Sequence, residues 1–166
     1  MASVGWLAAF AFLGNAVWVL HQPTYGPGLA SFMGLEVLAV LAILAAFLTR
    51  RVEPSGLFQK LSFGGLWALA GWLTVASPAG LSLALVFSFG WDLGPMPTDA
   101  VLPIVVGWLP IAWGLTWFAR RWFFIAPIIW GLYGVAMANT GEPQFFWGIL
   151  ALATSFVGLT LVAKTR

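Results

Sequence analysis

The chain has 166 residues, 61% of them hydrophobic and 7% charged, with seven Lys or Arg, five Asp or Glu, a pI near 9.5 and a mean hydropathy of +0.97. Soluble domains carry about 25% charged residues, so this balance excludes a water-soluble domain and points to an integral membrane protein. The lack of cysteine excludes disulfides, iron–sulfur clusters and thiolate chemistry.

The apolar runs are near-continuous and of spanning length. A membrane barrel would show alternating segments of ~10 residues. The expected fold is therefore all-α, a polytopic bundle of six transmembrane helices in one domain, residues 1–166. The first span is read at 4–20. It lacks the basic n-region of a cleaved signal peptide and ends at "HQPTYGPG", with two prolines and two glycines. The second is read at 29–49 and closes at "RRVEPSGLFQK". The third, at 62–89, is interrupted by Pro78-Ala79-Gly80. One kinked helix is expected there, since membrane helices tolerate Pro and Gly; two half-helices around a binding site are the alternative. "GWDLGPMPTD" leads to the fourth span at 101–119, "ARRW" to the fifth at 122–139, and "NTGEPQ" to the sixth at 144–163.

Six spans sort the charges. Arg50, Arg51, Lys60, Arg120, Arg121, Lys164 and Arg166 all fall on one side. Asp92, Asp99, Glu142 and His21 fall on the other. The positive-inside rule makes the basic side cytoplasmic, with both termini inside. The same residues could attract anionic lipid or a nucleic acid, but a topology signal is the simpler reading. The bilayer is the expected partner, nucleic acid is not, and other subunits or a second copy of the chain are left open.

Glu36 is the one carboxylate inside a span, roughly 10 Å below the boundary away from the basic loops at 1.5 Å per residue. Asn15 lies at a similar depth on the preceding span. An Asn15 amide donating to Glu36 would reduce the ~2.5–3.5 kcal/mol cost of a charge near the bilayer centre. Glu36 then reads as a neutral structural clamp, as a group facing a ligand cavity, or as a proton relay. A relay wants further titratable groups, and the spans hold no second Asp or Glu. One His and one Glu do not make a metal site. His21, at the mouth, reads as a wet interfacial residue, with axial ligation of a tetrapyrrole metal as the alternative.

Eleven tryptophans divide by depth. Trp6, Trp67, Trp117 and Trp122 on one side and Trp18, Trp91 and Trp147 on the other form the expected interfacial belts. Trp72, Trp108, Trp113 and Trp130 lie deep. They either pack with backbone acceptors or line a flat aromatic pocket. "FGGLWALAGW" and "WGLYGVAMA" place small residues on one helix face, suited to close helix packing. No nucleophile–base grouping, phosphate-binding loop or dinucleotide turn appears, so no enzyme is expected.

"FLGNAVWVL" in the first span, "GWLTVAS" in the third, "FSFGW" at 87–91 and "FFIAPIIWGLYGVAMAN" at 123–139 resemble, in this order, the extended branch of the TspO/MBR tryptophan-rich sensory family. In that family an N-x-x-W helix forms the third span and a G-W-x-T-x-A helix the fifth; the family's first two spans have no counterpart here. The resemblance implies a tetrapyrrole- or sterol-like ligand and a sensory, regulatory or transport role. It carries over to Asn15, Trp18, Gly71, Trp72 and Thr74. With Glu36 and the deep Trp108, Trp113 and Trp130, these are the candidate ligand-binding residues. A porphyrin, a chlorophyll-type pigment or a carotenoid is the candidate ligand. The expected location is a bacterial cytoplasmic membrane. The alternatives are an accessory subunit of a photosynthetic or respiratory complex and, third, a small-solute channel.

Overall fold

The computed structural model describes residues 2–26, 28–91, 97–138, 148–150, 153–158 and 161. Five helices follow in order: α1 (Ala2–Tyr25), α2 (Leu29–Leu48), α3 (Leu57–Phe89), α4 (Pro97–Ala119) and α5 (Trp122–Ala138). The residues described at 148–150, 153–158 and 161 are helical too and fall inside the sixth expected span. No strand occurs among the described residues. Two helices, Leu29–Leu48 and Leu57–Phe89, are long and apolar enough to cross a membrane; 5–20, 103–119 and 122–137 are shorter apolar stretches.

The helix ends have local causes. α1 runs past its expected end at 20 and stops at Gly26, whose φ of 73° leaves the helix and whose amide donates to the Gln22 carbonyl at 3.0 Å. Glycine takes that left-handed conformation without the Cβ penalty. α2 begins behind Gly28, which has no side chain to cap it; the Ser88 hydroxyl accepts the Leu29 N–H at 2.7 Å instead. The start of α2 is thereby tied to the end of α3. α3 begins five residues earlier than expected, because Gln59 reaches back to accept the Ser55 N–H at 2.8 Å and so fixes the first turn. It ends at Gly90 (φ 61°), where the Trp91 and Gly90 amides donate to the Leu85 and Val86 carbonyls, a Schellman closure. α4 starts at Pro97, a residue suited to a first helical turn, four residues ahead of expectation. Arg120 (φ 49°) makes the tight break before α5.

α3 is the axis of the bundle. It packs against α2, α5 and α4, and α1 lies on α2. Small residues let the backbones close in. Leu35, Ala39, Ala42 and Ala46 form the buried stripe of α2. A Cβ at Gly71 would run into the Phe124 carbonyl of α5, and one at Gly131 would sit 2.6 Å from Val75. Trp67, expected in an interfacial belt, is a core residue at 4% exposure. It packs between Phe47 (5.3 Å) and Phe124 (6.0 Å, edge-on). Trp6, Trp117 and Trp122 are exposed.

A tryptophan-lined cleft as the candidate functional site

At the end of the bundle away from Arg50 and Arg121, α1, α2, α3 and α5 leave a cleft of about 240 Å³. Each helix contributes one face. α2 presents Gly28, Ser31, Phe32 and Leu35, at i, i+3, i+4 and i+7. α3 presents Trp72, Val75, Ala76, Ala79, Gly80 and Leu83 with the same period. α1 closes one side with Trp18 and Gln22, and α5 the other with Gly131 and Val135. The lining is almost wholly apolar, with the Gln22 amide, the Ser31 hydroxyl and the indole N–H groups of Trp18 and Trp72 as its side-chain polar groups.

Two indoles define the cleft. Trp18 is held by its N–H, which is shared between the Ser31 carbonyl and hydroxyl at 3.1 Å each. Trp72 is 37% exposed and stacks at 5.3 Å, tilted 42°, on Trp130 of α5. The floor depends on Gly80, where a Cβ would meet Leu35 at 3.0 Å and Phe32 at 3.2 Å. Pro78 leaves α3 unbroken beneath it, so the single-helix reading holds over the half-helix one. The Ser77 and Ser82 hydroxyls donate to the Leu73 and Pro78 carbonyls around that proline.

The other sequence-derived candidates are distributed elsewhere. Thr74 is buried and its hydroxyl donates to the Ala70 carbonyl of its own helix at 2.7 Å. Trp130 is 67% exposed and reaches the cleft only through Trp72. Trp108 and Trp113 are half-buried on α4 against the core, and the Trp113 N–H has no hydrogen-bond partner. His21 lies in α1, but its side chain falls outside the described residues, as do Trp147 and Glu142.

The expected bond between Asn15 and Glu36 is absent. The Asn15 Oδ1 and the Glu36 Oε1 are both buried without a partner. The reason is angular. α1 and α2 do run antiparallel at matching depth, with Gly14 against Leu38 and Trp18 against Ser31. The α1-facing side of α2 thus carries Ser31 and Leu38. Residues two apart on a helix do not share a face, so Glu36 is turned away from the side on which Leu38 meets α1. Span boundaries put the two residues at one level along the helix pair, as the contacts do, and say nothing of rotation.

Sequence reasoning reached Trp18 and Trp72 and missed the rest of the lining. A signal for it existed in the small and apolar residues of α3 at helical spacing through "SPAG", a stretch that reads first as a break. Among the described residues no group of three His, Asp or Glu could hold a metal ion.

Comparison with known families gives one finding. The family model described as "TSPO-like protein" matches residues 1–162. No curated protein and no solved structure matches the chain. A match over nearly the whole length, together with the apolar helices, identifies the chain as a member of the TSPO-like protein family, a membrane protein of the TspO kind.

Proposed function

We propose that the protein is a non-catalytic membrane receptor for a flat hydrophobic ligand of the tetrapyrrole class, held between Trp18 and Trp72. The observation that carries the reading is the cleft itself. It is apolar, lined by two indoles, and bordered by the single amide of Gln22, which suits one peripheral polar group on a planar ring. Its volume of about 240 Å³ is below the roughly 300–1,000 Å³ usual for clefts that bury most of a drug-sized ligand. The rim at Trp72, Ala79 and Leu83 is exposed, so a macrocycle would enter by one edge. Membership in the TSPO-like family supports a sensory, regulatory or transport role for such binding. The same reading has six spans in a bacterial cytoplasmic membrane. The loops bearing Arg50, Arg51, Arg120 and Arg121 face the cytoplasm, and the cleft opens toward the opposite side.

Protoporphyrin IX titrated into the purified chain, read by quenching of tryptophan fluorescence, tests the reading. Saturable quenching is expected. Ala76→Phe, which fills the cleft, should abolish it. Linear, non-saturating quenching, or full binding in a folded Ala76→Phe variant, would remove the assignment.

A further inference from the structure

A second hollow lies at the basic end. One cleft, of about 600 Å³, is bounded by Thr49 and Val52 of the α2–α3 loop, Lys60 in the first turn of α3, and Arg121 and Phe123 at the start of α5. Another, of about 570 Å³, runs up the outside of α3 and α5 to Trp72 and Trp130. Both are lined by Gly65, Ala68 and Phe123, so they form one continuous groove. A Cβ at Gly65 would meet only the Phe12 ring, at 3.6 Å, so the trough is open there.

Charge and length both restrict the occupant. Lys60 is exposed, and no carboxylate of the described residues pairs with it. Arg121 donates through Nη2 to the Arg50 carbonyl at 3.1 Å, which anchors its guanidinium beside the loop at the mouth. Arg50, Arg51 and Arg120 add to the positive field there, and the exposed Glu53 of the same loop offsets one of these charges. Above this mouth the lining is apolar as far as Trp130. From Lys60 to Trp72 the helix rises roughly 18 Å, close to one leaflet of a ~30 Å hydrocarbon core. Two cations at one end of an apolar trough one leaflet deep match an amphiphile with an anionic head and a long chain. A zwitterionic head would bring its own cation against Lys60 and Arg121.

We propose that this groove binds one anionic glycerophospholipid from the leaflet on the basic side. Its phosphate sits between Lys60 and Arg121, and one acyl chain lies along Gly65 and Ala68 to the Trp72–Trp130 pair. The groove meets the Trp18–Trp72 cleft at Trp72, which lines both, and the proposal stands whether or not that cleft binds a tetrapyrrole.

The full chain in neutral detergent is titrated with dioleoyl phosphatidylglycerol or dioleoyl phosphatidylcholine. Melting temperature is followed, and retained lipid is counted by native mass spectrometry. Phosphatidylglycerol should raise the melting temperature more than phosphatidylcholine, with one molecule retained. Lys60→Gln should weaken its binding about fivefold, whereas Arg51→Gln, at an exposed residue outside the groove, should weaken it far less. Ala68→Phe should remove it. Four results would each overturn the proposal: equal effects of the two lipids; no change in Lys60→Gln; equal weakening by Arg51→Gln, which would mean diffuse charge; or an equal shift from glycerol 3-phosphate without acyl chains. Lys60 and Arg51 are exposed, so that comparison stands even if Ala68→Phe does not fold.

Discussion

The indole N–H of Trp18 on α1 is divided between the carbonyl and the hydroxyl of Ser31 on α2, at 3.1 Å from each. This side-chain link spans a helix pair that also packs through apolar contacts such as Gly14 against Leu38. It also sets one wall of the cleft. Removing the donor leaves both Ser31 oxygens without it, whereas removing the hydroxyl leaves the carbonyl as acceptor. Trp18→Phe should therefore destabilise the protein by about 1–2 kcal/mol, and Ser31→Ala by less than ~0.5 kcal/mol. Unfolding in mixed detergent micelles would measure both. Equal costs would mean that the hydroxyl carries the link.

Gly71 and Gly134 look alike in sequence, each within a stretch of small residues. Their surroundings differ. A Cβ at Gly71 would collide with the Phe124 backbone carbonyl, which cannot move without shifting α5; at Gly134 a Cβ meets nothing within 4 Å. Gly71→Ala should cost about 1–3 kcal/mol, whereas Gly134→Ala should be neutral or slightly stabilising. The same unfolding assay decides it, and a tolerated Gly71→Ala would show that α3 and α5 are less closely packed than described.

How much of this was legible beforehand varies with the physical cause. Helix existence followed from apolar run length, and α2 at Leu29–Leu48 lies within one residue of expectation. The starts of α3 and α4 came early because Gln59 and Pro97 act through the first turn, and hydropathy does not register such local bonds. Trp67 read as an interfacial residue because depth alone cannot distinguish a core-facing ring from a lipid-facing one. The cleft was half legible. Trp18 and Trp72 stood out as tryptophans, whereas Ala76, Gly80 and Leu35 matter through the space they leave. That space depends on the relative rotation of four helices, which a linear sequence does not fix.

The same rotation governs Glu36. Its Oε1 is buried without a partner, and it does not line the Trp18–Trp72 cleft. A structural clamp would lose stability on replacement; an orphaned carboxylate would not. Glu36→Leu should leave stability unchanged or raise it, since an unpartnered acid in hydrocarbon costs ~2.5–3.5 kcal/mol at the centre. Protoporphyrin quenching should keep its wild-type midpoint. A clear loss of stability in Glu36→Leu would restore the clamp reading, and a shifted midpoint would place the acid at the ligand.

Pro78 offers the last test, because it separates a continuous helix from a functional break. α3 passes through Pro78 while buried, and proline provides no N–H for the Thr74 carbonyl one turn below. If α3 is a single rod whose proline is tolerated, Pro78→Ala supplies that donor and adds no bulk. Stability should then stay level or rise by up to ~1 kcal/mol, with the Gly80 floor and porphyrin affinity intact. If the proline instead holds two half-helices apart to shape a site, the alanine would straighten them and binding would fall. Melting temperature and the quenching midpoint of Pro78→Ala, measured together, separate the two. A more stable protein with wild-type affinity supports the single rod, and a more stable protein that no longer binds supports the break.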